Sequence, residues 1–109
     1  MSNDEKRAVQ AAALLEFEEA KAALALLRAK GEQWRVLYEK VHHLLCRSRR
    51  DSAQLEAAAA SARLDIESRR AEFAPVMDLD AVLALDAEIE SAVFRLKKAA
   101  ATKRELGFL

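Results

Sequence analysis

His42, His43 and Cys46 are the side chains in this 109-residue sequence best suited to chemistry. His42 and Cys46 stand four apart, so on a helix they share one face, and an imidazole nitrogen and a thiolate sulfur are both zinc ligands. Two ligands make half of a tetrahedral site. No second Cys/His cluster exists in the sequence, so a structural zinc would need a partner chain. The favoured reading is that both histidines flank a helical seam and Cys46 acts as a small apolar group. No metal site and no cofactor is expected on that reading.

Other groupings are weaker. Glu39-Lys40-Val41-His42 has the Glu-x-x-His spacing of di-iron bundles, which need two such units plus two further inward glutamates; one unit is present. Asp86 and Glu90 could pair as carboxylates four apart, but charge at that spacing is more simply a solvated face. No combination of base, nucleophile and oxyanion donor is recognisable, and no glycine-rich loop could cradle a phosphate. The sequence therefore predicts a protein that is not an enzyme.

Recognition by shape and charge remains, and it depends on the elements that carry it. Positions alternately four and three apart give Ala13, Phe17, Ala20, Leu24, Leu27, Gly31, Trp34, Tyr38, Val41 and Leu45, a sustained heptad seam widened by Leu37 and Leu44. This predicts one helix over about residues 4–47, capped at Asn3 or Asp4. Gly31 follows Arg28 and Lys30 as a helix-ending glycine would. The seam keeps phase across it, however, and no capping residue follows. A mid-helix glycine costs only about 1 kcal/mol against alanine, so continuity is predicted; a break would give a four-helix bundle instead.

The polar run 47–52 ends this helix, and Asp51 with Gln54 forms a near capping box for a second helix over about 52–73. Its inner face reads Leu55, Ala59, Ala62, Ile66, Arg69 and Phe73. Pro75 stops it. Asp78 then caps a third helix over about 79–106, with Met77 and Val82 as a hydrophobic staple and a seam of Val82, Leu85, Ile89, Ala92, Leu96 and Ala99. Gly107 suits the terminal cap, ahead of an apolar tail of Phe108 and Leu109. The predicted fold is all-α, a long antiparallel helical hairpin or three-helix bundle with coiled-coil character, in a single domain over 1–109.

Composition agrees: 52% hydrophobic and 33% charged residues with two glycines and one proline suit long helices rather than sheets. A single cysteine excludes an intramolecular disulfide. The charged N-terminus is followed by no secretory-type apolar stretch, and no run of about eighteen apolar residues could span a bilayer. A cytoplasmic setting without membrane contact is the expectation.

At about 1.5 Å of rise per residue the three helices span roughly 65, 33 and 42 Å. If short turns reverse direction, the third helix climbs back beside the C-terminal part of the first, leaving Val9 to Leu24 bare. An apolar surface of that size seeks a partner. Pairing is predicted through Leu14, Phe17 and Leu24, with Trp34 and Tyr38 as aromatic anchors, to a second copy in a homodimer or to a helix of another protein.

Net charge is zero, but it is sorted: residues 28–50 hold seven Lys/Arg against two Asp/Glu, 51–94 three against ten, and 95–109 five against one. The same arrangement would gather Arg47, Arg49, Arg50, Lys97, Lys98, Lys103 and Arg104 into a basic pole. Helix dipoles account for much of this sorting, since cations are favoured at helix C-termini. A working pole would meet an acidic protein or, as the alternative, a nucleic-acid backbone, against which the neutral total and the seam-bound aromatics weigh. The expected function is a non-enzymatic, self-associating helical protein-protein interaction module: an adaptor, inhibitor, assembly component or chaperone-like binder. The alternative is a small nucleic-acid-associated protein.

Overall fold

The computed structural model describes residues 2–46 and 53–107. The chain is all-α. Helix α1 runs Asn3–Cys46, α2 Ala53–Ser68, α3 Arg70–Phe73 and α4 Leu79–Glu105, with a 3₁₀ turn Ala74–Met77 between α3 and α4. No strand occurs among the described residues. Two compact units are built on these helices, one from α1 up to Ala29 with the chain from Asp86 onward, the other from Lys30–Leu85.

Local rules set the helix ends. Ser2 and Glu5 form a reciprocal capping box: the Glu5 amide donates to Ser2 Oγ at 3.2 Å and the Ser2 amide to Glu5 Oε2 at 3.3 Å. The cap therefore falls one residue ahead of Asn3 and Asp4. Helix α1 passes through Gly31 without interruption, as the unbroken heptad required. The Asp51–Gln54 cap and the Phe108-Leu109 tail lie outside the described residues. Asp78 caps α4, its Oδ1 accepting the Ala81 amide at 3.2 Å. Gly107 closes α4 with φ +89°, a left-handed conformation that favours glycine, and its amide donates to the Arg104 carbonyl at 3.0 Å.

The second predicted helix is broken once. Arg69, at φ −127° and ψ 36°, separates α2 from α3. The Ser68 hydroxyl donates to the Asp65 carbonyl at 3.0 Å, competing with the helical ladder where it breaks. The Arg69 guanidinium then clamps the break from both sides, reaching Asp65 at 3.3 Å and Glu72 at 2.6 Å.

In the first unit α1 and α4 run antiparallel. Gln10 Nε2 reaches the Leu106 carbonyl at 3.5 Å, Glu16 meets Arg95, and Ala23 and Leu27 lie beside Ala87 and Ser91, so numbers rise along one helix as they fall along the other. Ala13, Ala20, Ala92 and Ala99, each pair seven apart, are all buried. Such small seam residues let two helix axes approach closely.

This corrects the expected course of the last helix. Within 30–85 the chain already descends along α1: Asp65 pairs with Lys40, whereas Val82, further on, lines a cleft with Gly31 and Trp34. The connection Ala74–Met77 is a helical turn, not a hairpin, so it does not reverse the chain. The residues from Asp86 onward accordingly cover the N-terminal part of α1. Val9 to Leu24 is not a bare surface; Ala20 and Leu24 are buried within the chain.

The second unit is built from larger side chains. Leu37, Phe73 and Val76 form its buried cluster, with Trp34, Val41 and Ile66 packed against it. Leu37 takes the core position that the heptad assigned to Tyr38. Trp34 and Val41 keep their seam places against the core, and Tyr38, about 100° around the helix from Leu37, does not.

Candidate functional site

That exchange of Leu37 for Tyr38 in the core creates the site. Because Phe73 and Val76 pack onto Leu37, Tyr38 is left 48% exposed, while Trp34 stays half-buried against the same cluster. Gly31, Trp34, Arg35 and Tyr38 from α1 join Val76 and Val82 around an open, mainly apolar cleft of about 320 Å³. Val76 is brought there by the 3₁₀ turn and Val82 by the first turn of α4, just inside the Asp78 cap.

One charged side chain, Arg35, lines the cleft, and it is engaged by glutamates of its own helix. Arg35 Nε donates to Glu32 at 3.0 Å, and the same guanidinium also pairs with Glu39. The hydrogen bond from Arg35 holds the Glu32 carboxyl below the usual carboxylate range, and the two glutamates raise the guanidinium further. Lys30 Nζ sits 5.3 Å from the Trp34 ring centroid, a cation over an aromatic face. One helical turn beyond, the Tyr38 ring stacks on His42 with centroids 6.1 Å apart, and His42 Nε2 lies 3.3 Å from Cys46 Sγ.

The sequence-predicted interface residues fall into different places. Trp34 and Tyr38 are brought together in the cleft. Leu14 sits at the border of exposure. Phe17 is half-buried beneath Lys103, whose Nζ is 4.2 Å from the ring centroid, with Lys21 at 5.5 Å. Leu24 is only 3% exposed and cannot serve an outside partner as placed, because α4 already covers this part of α1.

The basic pole is corrected as well. Its premise was that residues 95–104 lie beside the C-terminal end of α1, and they lie beside residues 10–19 instead. Arg95 Nε meets Glu16 Oε1 at 2.6 Å and Arg95 Nη2 lies 3.8 Å from Glu19, while Lys103 covers Phe17. The physical cause is the turn Ala74–Met77, which carries the chain onward without reversal and sets Arg95 against Glu16 and Glu19. Glu16 is held below the usual range by the Arg95 hydrogen bond. Lys97, Lys98 and Arg104 are exposed on α4; Arg47, Arg49 and Arg50 lie outside the described residues.

Val76, Val82 and the Arg35 clamp were missed as parts of a site. The first two were read as linker and core; only knowledge of what packs on Leu37 turns them into a wall of the cleft. Among the described residues no three His, Cys, Asp or Glu side chains come together to hold a metal ion, and no buried side-chain nitrogen or oxygen lacks a partner. No described helix is long and apolar enough to cross a membrane. Compared with protein-family models, curated proteins and solved structures, the chain matches none.

Proposed function

We propose that this chain is a helical protein-binding module that docks through the Gly31–Tyr38 face of α1 and the adjoining Val76 and Val82, and that the occupant is a second copy of itself. The carrying observation is Tyr38: a large amphipathic ring, beside Trp34, held half in water on a continuous helix at the edge of an apolar cleft. Tyr and Trp in such positions dominate interface energetics, because each buries a large rigid area at small entropic cost. Small-molecule sites pair an apolar lining with convergent polar groups. Here the only charged lining residue is Arg35, and Glu32 and Glu39 already engage it. The surface is thus suited to another apolar helix face, the helix-in-groove mode. A second copy supplies one with the same seam spacing, and on that face Lys30 and Arg35 together balance Glu32 and Glu39, so two copies meet without net like charge.

Sedimentation equilibrium across nanomolar to micromolar chain concentration tests this. A reversible dimer is expected, and Tyr38→Glu should weaken it by about 30-fold or more, the equivalent of a hot spot of about 2 kcal/mol. Tyr38 lies outside the Leu37 cluster, so helix content should not change. A chain that stays monomeric throughout, or a dimer indifferent to Tyr38→Glu, sinks the reading.

A further inference from the structure

The α1 face that carries Tyr38 continues one turn further to His42 and Cys46, and there the spacing of donor atoms is specific. A zinc ion bound to sulfur at about 2.3 Å and to an imidazole nitrogen at about 2.0–2.1 Å, with a tetrahedral angle between them, holds that sulfur and nitrogen roughly 3.6 Å apart. Cys46 Sγ and His42 Nε2 are 3.3 Å apart. Opening by a few tenths of an ångström brings both to ligand distance from one cation. The nitrogen facing the sulfur is Nε2, which leaves Nδ1 for an outer hydrogen bond of the kind that orients metal-bound histidines. The stacked Tyr38 ring, 20° from parallel with the imidazole, restricts the ring's rotation.

We infer that His42 and Cys46 are half of a zinc site completed by the same two residues of a second copy, a Cys2His2 tetrahedron on the dimer axis. This rests on the self-pairing reading above. Within one chain the set stops at two, since no third His, Cys, Asp or Glu among the described residues joins the pair, and the neighbouring His43 points about 100° away around the helix. Two α1 helices side by side and parallel set every residue against its own counterpart. That arrangement brings both Tyr38 rings and both His42–Cys46 pairs to the axis together; an antiparallel pairing brings one or the other. Zinc takes the thiolate and the neutral imidazole, so each Cys46 releases its thiol proton to solvent, and no electrons are transferred.

Cobalt(II), a spectroscopic stand-in for zinc, titrated into the full chain under a non-coordinating reductant tests the inference. The expected result is saturation at one cobalt per two chains, with the intense visible bands of a tetrahedral ion and a thiolate-to-metal charge-transfer band. His42→Ala and Cys46→Ser should each abolish these bands, while His43→Ala keeps them; all three positions lie outside the core cluster, and far-ultraviolet circular dichroism checks that α1 persists. Free zinc at 100 times the dissociation constant of the site should tighten the dimer about 100-fold in wild type. A dimer sensitive to Tyr38→Glu but indifferent to zinc and cobalt overturns the metal site and leaves the pairing standing. Tetrahedral bands at one cobalt per chain overturn the shared site. A chain that dimerises only with zinc supports the metal site and counts against the cleft as a sufficient contact, whereas a chain monomeric with and without zinc removes both.

Discussion

The two units of this protein pack by opposite means. From Asn3 to Ala29 and from Asp86 onward, two helices meet along alanines seven residues apart, Ala13 and Ala20 against a face with Ala92 and Ala99, and cross-helix charge pairs such as Arg95–Glu16 flank the contact. From Lys30 to Leu85 the core is Leu37, Phe73 and Val76, with Trp34, Val41 and Ile66 around it. Small side chains bury little area each, and open clefts run along their seam, about 300 Å³ beside Ala13 and Ala99 and about 470 Å³ beside Ala23 and Ala92, both bordered by Arg95. Large ones, gathered from a helix, a broken helix and a 3₁₀ turn, form a buried cluster, and the cleft beside them is edged by Trp34 and Tyr38 rather than by alanines and charge. The candidate site is therefore a product of how the second unit packs: the core claims Leu37, Trp34 packs against it, and Tyr38, one position on from Leu37, is left to solvent.

This contrast can be broken most forcefully in the second unit. Phe73 is buried at the centre of the Leu37 cluster, so Phe73→Ala removes an aromatic ring from a packed core and should cost about 3–5 kcal/mol. Chemical denaturation measures it, and a loss below 1 kcal/mol would mean that this cluster does not carry the unit. The alanine seam should fail by the reverse route. Ala20 is fully buried, and Ala20→Leu forces three extra carbons between two packed helices, for which overpacking costs of about 1–3 kcal/mol are typical. Amide exchange should show the loss concentrated in residues 3–29 and 86–105. A neutral or stabilising Ala20→Leu would show that the helices are not in close contact there and would erase the distinction between the units.

Why some of this was legible in the sequence, and some not, follows from the same contrast. Continuity through Gly31, the Asp78 cap and the left-handed Gly107 follow from residues within a turn or two of each position, and such rules are carried by the sequence itself. The Ser2–Glu5 capping box was equally readable, but Asn3 and Asp4 are strong caps in their own right and drew the assignment. The direction of α4 was not readable, because Ala74-Pro75-Val76-Met77 can end a helix in a reversal or carry it through a 3₁₀ turn, and packing of Phe73 and Val76 on Leu37 decides between them. The heptad places Trp34 and Tyr38 on one seam, yet whether residue 37 or 38 faces the core depends on which helix lies opposite. Periodicity contains no neighbour, so it could not show that Val76 and Val82 complete the cleft, nor that Arg95 meets Glu16 and Glu19.

The finest distinction between the units is electrostatic, and acid reads it. Asp65 accepts hydrogen bonds from Lys40 first and Arg69 second, and these hold its carboxyl below the usual range; Glu16 is lowered by Arg95. For a carboxyl lowered on folding, the stabilising contribution is complete above the ordinary carboxylate range and disappears as pH falls through the lowered value. Stability should therefore decline between about pH 5 and pH 2 and not on the alkaline side. The decline is small at physiological salt, because these pairs are partly hydrated and screened. Asp65→Asn should flatten the acid slope more than Glu16→Gln, since Asp65 joins two cations and links α1 to the Arg69 break, whereas Glu16 faces one dominant partner. Carboxyl chemical shifts followed through the titration check the assignment directly: if Asp65 titrates at an ordinary aspartate value, the Lys40–Asp65–Arg69 bridge does not form in solution, and the clamp across the α2–α3 break must come from the Arg69–Glu72 pair alone.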